Sequence, residues 1–269
     1  MVAAGAVAML GIAAPAAAQG KLDARYTVTL AGLPIGKGAW VVDIADDRFS
    51  AAASGTTLGL MRVFSRGHGT GAVRGLIVAG KPVQATFAAS ITSNKKTEEI
   101  RLSIVGGTVK DVAITPAPTP SPDRIPVTDA HRHGVIDPLS SSLFRVPGRG
   151  DLFGPEACPR HIPVFDGRMR YDLRLSYKRI ERVKAERGYD GPAVVCAVRF
   201  SPIAGYVPTR YAIKYLIEQR DIETWLVPVA GTRVMVPFRL SIPTPLGVGV
   251  MEATQFVTAS QPRAATRTQ

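Results

Sequence analysis

A period of two between residues 170 and 200 constrains the fold of this chain more than any other feature. Polar and apolar residues alternate over nine positions: Arg170, Tyr171, Asp172, Leu173, Arg174, Leu175, Ser176, Tyr177 and Lys178. This alternation predicts a β-strand with one apolar face and one basic, solvated face. The same period returns at Val194, Cys196, Val198 and Phe200, after a connection that contains two glycines. The two runs therefore predict an antiparallel hairpin, with the two cysteines of the chain at its base.

Shorter runs with strand character, separated by turn residues, lie on both sides of this hairpin. They cover residues 22–30, 39–44, 49–57, 59–66, 76–79, 84–92, 98–105 and 108–114 before it, and 211–218, 222–229, 233–242 and 249–258 after it. Many short strands at regular spacing favour an all-β sandwich or barrel over an α/β fold. Pro237 lies inside one run and predicts an edge strand or a bulge there.

Two segments interrupt the strands. The proline-rich segment 116–126 predicts a surface loop, with an interdomain linker as the alternative. Asp137 followed by Pro138, with Leu139, Leu143 and Phe144 on one side, predicts the only helix. We therefore predict a single domain over residues 19–259.

The N-terminal segment predicts export. Residues 2–18 carry no charge, and Ala16, Ala17 and Ala18 form a small-residue site with cleavage expected after Ala18. The run is short and rich in alanine, which is typical of a signal peptide rather than a membrane span. The basic residue that usually precedes such a run is missing, so we expect basic residues upstream of Met1. Export places the mature protein in the periplasm, and residues 260–269 predict a disordered tail.

Export changes how the charge and the cysteines are interpreted. The formal net charge of +12 indicates an anionic neighbour. An exported protein does not meet nucleic acid, so an anionic membrane surface or polymer is the expected partner. In an oxidising compartment the two cysteines are expected to pair as Cys158–Cys196. Two buried free thiols are the alternative, and neither cysteine lies in a C-x-x-C motif.

Two groups of residues are candidates for a metal site or a catalytic pair, and each has a simpler structural interpretation. His131 and His133, near Asp129, are two residues apart and could bind a metal ion if they lay on a strand. The preferred interpretation is a polar approach to the predicted helix. His161 lies near Cys158 and could form a nucleophile pair with it, but a disulfide is preferred. The sequence contains no G-x-S-x-G, H-E-x-x-H, P-loop or dinucleotide motif, so no catalytic residue and no cofactor is predicted.

The most prominent polar feature is a series of cations along the first strand of the hairpin. Five of them share strand parity and, if the strand is regular, one face: Arg168, Arg170, Arg174, Lys178 and Arg182. We call this set the basic ridge. It is either an ordinary solvated face or a surface that docks onto anionic head groups or polymer, where each cation contributes about 1 kcal/mol.

Several motifs together resemble one family of exported bacterial proteins. They are Y-x-V-x-L-A-G-L-P-I-G-K-G from Tyr26, D-A-H-R-H-G-V-I-D-P-L-S from Asp129, F-D-G-R-M-R-Y-D-L from Phe165 and Y-D-G-P-A-V-V-C-x-V-R-F from Tyr189. The set resembles the family called domain of unknown function 3108. The resemblance implies an incompletely closed antiparallel β-barrel, or β-spiral, similar in shape to the half-barrel carriers of lipoproteins. It implies no activity and no ligand-contacting residue.

Three functions are consistent with these observations. The first is a periplasmic, non-enzymatic envelope protein that binds an apolar or amphipathic ligand, or a lipidated partner, in a concave cavity of the sheet. The second is a scaffold that binds envelope proteins or anionic polymer through the basic ridge. A metal-dependent hydrolase that uses His131, His133 and Asp129 ranks last.

Overall fold

A computed structural model of the protein describes residues 19–58, 67–78, 81–159 and 161–260. The described strands are β1 (Gly20–Leu30), β2 (Leu33–Ile44), β3 (Arg48–Thr57), β4 (Gly67–Val78), β5 (Lys81–Ser93), β6 (Lys96–Val105), β7 (Thr108–Thr115), β8 (Phe144–Arg145), β9 (Ile162–Phe165), β10 (Arg170–Lys184), β11 (Arg187–Gly188), β12 (Asp190–Ala204), β13 (Glu223–Pro228), β14 (Val234–Thr244) and β15 (Gly247–Ser260). The α-helix of the described chain is α1 (Tyr211–Glu218), and three short 3-10 turns lie between β7 and β9.

All of these strands form one sheet. Its order is β7-β6-β5-β4-β3-β2-β1-β15-β14-β13-β12-β10-β9, with β8 and β11 attached to β14 and β15. Neighbouring strands along this path run antiparallel, and the two-residue β11 pairs parallel with β15. β1 pairs with β15, so the first and last strands join the two halves of the chain. The sheet is not closed, which confirms the predicted all-β, antiparallel, incompletely closed barrel.

A short extended segment spans the gap between the two edges of the sheet. The Val135 amide donates a hydrogen bond to the carbonyl of Gly107, in the β6–β7 turn, at 2.9 Å. The next residue, Ile136, exchanges backbone hydrogen bonds with β9, from its amide to Pro163 and from the Phe165 amide to its carbonyl. Because one segment is bonded to both edges, the sheet curls into a barrel-like shape without direct pairing of β7 and β9.

The main core lies on the inner face of this curl. It takes large buried side chains from both halves of the chain: Trp40, Phe49, Phe87, Leu102, Phe165, Trp225, Phe238 and Phe256. Alternation along each strand places these residues inside and their neighbours outside. The inner face along β1–β6 and β12–β15 is therefore held together by apolar burial rather than left as an open cavity.

A second core lies on the opposite face of the C-terminal half of the sheet. Leu175, Val194, Cys196 and Val198 belong to it, under a cover formed by residues 144–159 and by Leu216 of α1. Val195 of the same strand belongs to the main core, so β12 is buried on both faces. The predicted hairpin is confirmed as the β10–β12 pair.

The described chain contains one short α-helix, as predicted, but the helix does not lie where it was expected. Asp137 does cap a turn, accepting hydrogen bonds from the Leu139 and Ser140 amides at 3.0 Å. That turn is a 3-10 turn of three residues (Ser140–Ser142), because the chain then becomes extended and pairs with β14 as β8. The α-helix lies instead at Tyr211–Glu218, where a strand was predicted.

The sequence of α1 fits both periods. Tyr211, Ile213, Tyr215 and Ile217 alternate with other residues, which suggested a strand. The same spacing puts Tyr211 and Tyr215 one helical turn apart, with ring centroids 6.1 Å from each other. The helix follows Pro208 and no strand of the described sheet pairs with this segment, so helical hydrogen bonds satisfy its backbone.

The remaining predictions concern single elements. Pro237 lies at a bulge, where Trp225 pairs with Arg239 and Leu226 pairs with Pro237, so that part of the prediction is confirmed. Ser260 belongs to β15 rather than to the predicted tail. The predicted strand 59–66, the signal peptide over residues 1–18 and the tail beyond Ser260 lie outside the described residues. No helix in the described ranges is long and apolar enough to cross a membrane.

Candidate functional site

The cysteine prediction is confirmed. Cys158, which follows a 3-10 turn at Pro155–Ala157, is bonded to Cys196 of β12, with a Cα–Cα distance of 5.7 Å. Both residues are buried in the second core. The disulfide leaves neither sulfur as a free thiol, so the alternative of a Cys158–His161 nucleophile pair does not hold.

The two histidines that were candidate metal ligands, His131 and His133, bind other residues. His133 Nε2 lies 3.2 Å from Asp129, while the ring of His131 accepts a hydrogen bond from the Thr128 amide at 3.0 Å. Residues 129–132 form a 3-10 turn rather than a strand, and the two rings are bound to different partners. Among the described residues no group of three His, Cys, Asp or Glu side chains could hold a metal ion.

His161 contacts an acid on β10. Its Nε2 lies 2.8 Å from Asp172, and Arg170 binds the other carboxylate oxygen. Desolvation of the buried Asp172 opposes the charged form, but hydrogen bonds from His161 and Arg170 outweigh it and lower the pKa of Asp172. The sequence predicted Asp172 on the solvated face of the strand. The cluster of His161, Arg170 and Asp172 is visible only in the structure, where His161 lies beside β10.

Most cations of the basic ridge are neutralised by ion pairs. Four of the five predicted residues have an acidic partner: Arg168 with Glu98, Arg170 with Asp172, Lys178 with Glu223, and Arg182 with Asp190. Within the described chain only Arg174 of the ridge has no acidic partner. The ridge therefore presents much less positive charge than its sequence suggested.

The ridge is also not a single face. Residues 177 and 179 pair with Cys196 and Val195, which are neighbours on β12, so Lys178 is the extra residue of a bulge. Beyond it the parity of β10 reverses, and Arg182 lies on the face opposite to Arg170 and Arg174. The predicted common face for Arg168, Arg170, Arg174, Lys178 and Arg182 was therefore wrong, because the strand is not regular.

The same bulge builds a polar network that the sequence analysis missed. Arg179 binds Glu223 at 2.9 Å and also Glu181, whose other oxygen accepts a hydrogen bond from Trp225 Nε1 at 2.6 Å. The guanidinium of Arg239 lies 4.7 Å from the centroid of the Trp225 ring. Without the three-dimensional pairing of β12, β13 and β14, these residues carry no recognisable motif.

Two adjoining grooves lie on the outer face of the N-terminal half of the sheet. The pairing register aligns Val41, Ala52, Ala72, Ala88 and Arg101 in one row across five strands. These residues are exposed, and they line a groove of about 570 Å³. A second groove of about 490 Å³ shares Val41, Ala52 and Ala72 with the first. We call the two together the alanine groove.

The groove exists because its side chains are small. Alanine at the central positions leaves space between the flanking strands, and the backbone of the inner-facing residues forms its floor. The inner side of the same region is occupied: a side-chain carbon added at Gly71 would lie 3.5 Å from Leu139 and 3.9 Å from Phe87. On the inner side, a cavity of only about 30 Å³ adjoins Asp137 and Ser140, enough for about one water molecule.

A family profile and a solved structure are similar to this chain. The profile of the family described as "Protein of unknown function (DUF3108)" matches residues 25–254. No curated protein matches. The crystal structure of a beta-barrel-like protein of domain of unknown function DUF1849 from Brucella abortus is similar, with a TM-score of 0.50 and 8% identity. The similarity covers 91% of this chain and 99% of that chain, and it concerns the fold alone.

Proposed function

This chain belongs to the family described as Protein of unknown function (DUF3108), and we propose that it is an exported, non-enzymatic envelope protein that binds an amphipathic ligand or a lipidated partner. The observation that carries the proposal is the alanine groove. Its larger part, of about 570 Å³, is within the usual range for small-molecule sites. The family supplies no activity, so the proposal rests on the groove and on the evidence for export.

The groove, rather than the inside of the curl, is the proposed site. The expected cavity inside the sheet is largely filled by the main core, and Leu139 lies against the inner side of Gly71. An acyl chain inside the curl would have to displace buried aromatic side chains such as Phe87 and Phe238, at a cost of several kcal/mol. On the outer face an apolar row is already exposed, and covering it would remove apolar surface from water.

The charges around the groove suit a ligand with a polar end. At the β6 side the apolar row ends at Arg101, next to Glu99. At the β1 side Lys21, Asp23 and Asp43 line the second part of the groove. A molecule with an apolar body along the alanines could therefore place a charged group at either end without burying it.

Two observations support export. The apolar run before Gln19 has the composition of a signal peptide. The Cys158–Cys196 disulfide fits an oxidising compartment such as the periplasm. Periplasmic location is therefore part of the proposal.

Mass spectrometry of the protein purified without detergent tests the groove. We expect a co-purifying amphipathic molecule in the wild type, and its loss in Ala52→Leu and Ala72→Leu, whose larger side chains fill the groove. Ala212→Leu is the matched control, because Ala212 is also an exposed alanine but lies on α1. All three variants should keep the far-UV circular dichroism of the wild type.

Two results would contradict the proposal. One is a wild-type protein that carries no ligand and takes up none from lipid vesicles. The other is a bound lipid whose amount is the same in the groove variants and in Ala212→Leu, which would place it elsewhere on the molecule.

A further inference from the structure

Two arginines face each other across the β10–β12 pair without any acidic partner. Arg174 and Arg199 are direct partners in the register. Within the described chain neither side chain forms an ion pair or a hydrogen bond, whereas Asp172 of β10 and Glu223 of the neighbouring β13 already have cationic partners. Asp172 is bound by Arg170 and His161, and Glu223 by Lys178 and Arg179.

The pairing of Arg174 with Arg199 is electrostatically unfavourable for the folded protein. Like charges directly opposite on neighbouring strands repel, because their Cβ atoms are about 5 Å apart. Nη1 of Arg199 is also buried and has no hydrogen-bond acceptor in the described structure. A buried cationic donor without an acceptor lowers the stability of the folded state. A negatively charged acceptor bound at this site would remove that cost.

The pair is nevertheless accessible. Arg174 is exposed and Arg199 is half-buried, and among the guanidinium nitrogens of Arg199 only Nη1 is enclosed, so a ligand can reach the other nitrogens of the pair from solvent. Asp221, which precedes β13 and is the next acid on the Arg199 side, is exposed and makes no ion pair with Arg199. Asp221 offsets part of the charge of the two arginines, and the other acids nearby are already engaged, so a surplus of positive charge remains at this spot.

We propose that Arg174 and Arg199 form a binding site for a phosphate group. Guanidinium groups present planar pairs of N–H donors that match the oxygens of phosphate. A phosphate monoester carries between one and two negative charges at neutral pH, which matches the two unpaired cations. The phosphate belongs either to a soluble molecule or to a lipid head group. The site lies on the C-terminal half of the sheet, away from the alanine groove, and does not depend on it.

Isothermal titration with inorganic phosphate, against sodium chloride at equal ionic strength, tests the site. We expect saturable binding by the wild type and a loss of affinity of about tenfold or more in Arg174→Gln and in Arg199→Gln. Arg174→Lys keeps the charge but loses the planar donors, so its affinity should fall between those of the wild type and Arg174→Gln. Near-UV circular dichroism establishes that each variant is folded.

Arg25→Gln is the matched control. Arg25 is an exposed strand arginine that forms no ion pair in the described chain, and it lies on β1. Its replacement removes the same net charge and should change the affinity by less than about twofold, through long-range electrostatics alone. Vesicles of phosphatidylcholine with and without phosphatidic acid then distinguish the source of the phosphate.

Each outcome decides the proposal. Vesicle binding that requires phosphatidic acid and is competed by inorganic phosphate supports a lipid head group. Phosphate binding without vesicle binding supports a soluble ligand. The proposal is overturned if phosphate gives no saturable heat, or if Arg25→Gln weakens binding as much as Arg199→Gln does.

Discussion

Among single residues, Glu223 is bound by two cations at once. It lies at the start of β13 and receives both Arg179, through two guanidinium nitrogens, and Lys178 of the β10 bulge. The hydrogen bonds from Arg179, followed by those from Lys178, lower the pKa of Glu223 from 4.5 to about 2 against the opposing effect of burial. The folded state is therefore more stable when the carboxyl group of Glu223 is ionised.

Glu223→Gln should destabilise the protein by about 2 kcal/mol at neutral pH, because it removes a charged acceptor from two cations. The folded-state pKa lies below the unfolded one, so the carboxylate stabilises the fold above the unfolded value and this contribution is lost as the pH falls. The difference from the wild type should therefore shrink between pH 4.5 and about pH 2. Urea denaturation over this range measures it.

Glu186→Gln is the control for this prediction. Glu186 is exposed and forms no ion pair in the described chain, so its replacement should have little effect at any pH. A Glu223→Gln effect that stays constant as the pH falls would show that packing, rather than charge, is responsible.

At the scale of elements, the connection between β10 and β12 depends on a glycine. Gly188 has a φ of +103°, and a Cβ at this position would lie 2.2 Å from the carbonyl oxygen of Phe256. Only glycine permits this approach, which lets β11 pair with β15 and the Tyr189 amide bind the Phe256 carbonyl at 2.9 Å. The turn of the central hairpin is thus attached to the strand that joins the two halves.

The disulfide fixes a second element to the sheet. It ties the segment after the 3-10 turn at Pro155–Ala157 to the centre of β12, across 38 residues of sequence. Cys158→Ser should lower stability by up to about 4 kcal/mol, by the entropy of the unfolded loop. The fold should persist, because the strand ladders do not include Cys158.

Thermal unfolding with and without reductant measures this effect. The wild type should melt at a lower temperature when reduced, whereas Cys158→Ser should melt at the same temperature in both conditions. Equal melting temperatures of the oxidised and reduced wild type would contradict the prediction.

At the scale of the whole molecule, the two halves share one sheet and one core. β15 pairs with the whole length of β1, and the main core combines Trp40 of the N-terminal half with Trp225 of the C-terminal half. Neither half can bury its apolar face without the other. A single domain over residues 19–259 remains a prediction, and this arrangement gives it a test.

We expect one cooperative unfolding transition. The chain has two tryptophans, so Trp40→Phe and Trp225→Phe each leave one fluorescent reporter, in opposite halves. In each variant the fluorescence transition in urea should coincide with the far-UV circular dichroism transition. A reporter that changes well before the circular dichroism signal would show that the halves unfold separately.

The hairpin, the antiparallel all-β class and the cysteine pair could be predicted from the sequence, because each depends on local periodicity or on the count of cysteines. Residues 211–218 were wrongly predicted as a strand, since the same apolar spacing fits a strand and a helix and only the lack of a pairing strand decides. The helix expected after Asp137 was also wrong, because pairing of residues 144–145 with β14 ended the turn.

The candidate sites were decided by the tertiary structure. One extra residue at Lys178 reverses the parity of β10, divides the basic ridge between two faces and places Arg179 beside Glu223. Parity along a strand can be read from sequence only while the register is regular, and a bulge forms where neighbouring strands require it. The alanine groove and the opposed arginines likewise exist only because the register brings distant residues side by side. The sequence by itself determined the antiparallel all-β class, most of the strand segments and the cysteine pair, whereas the register between the strands decided which side chains meet.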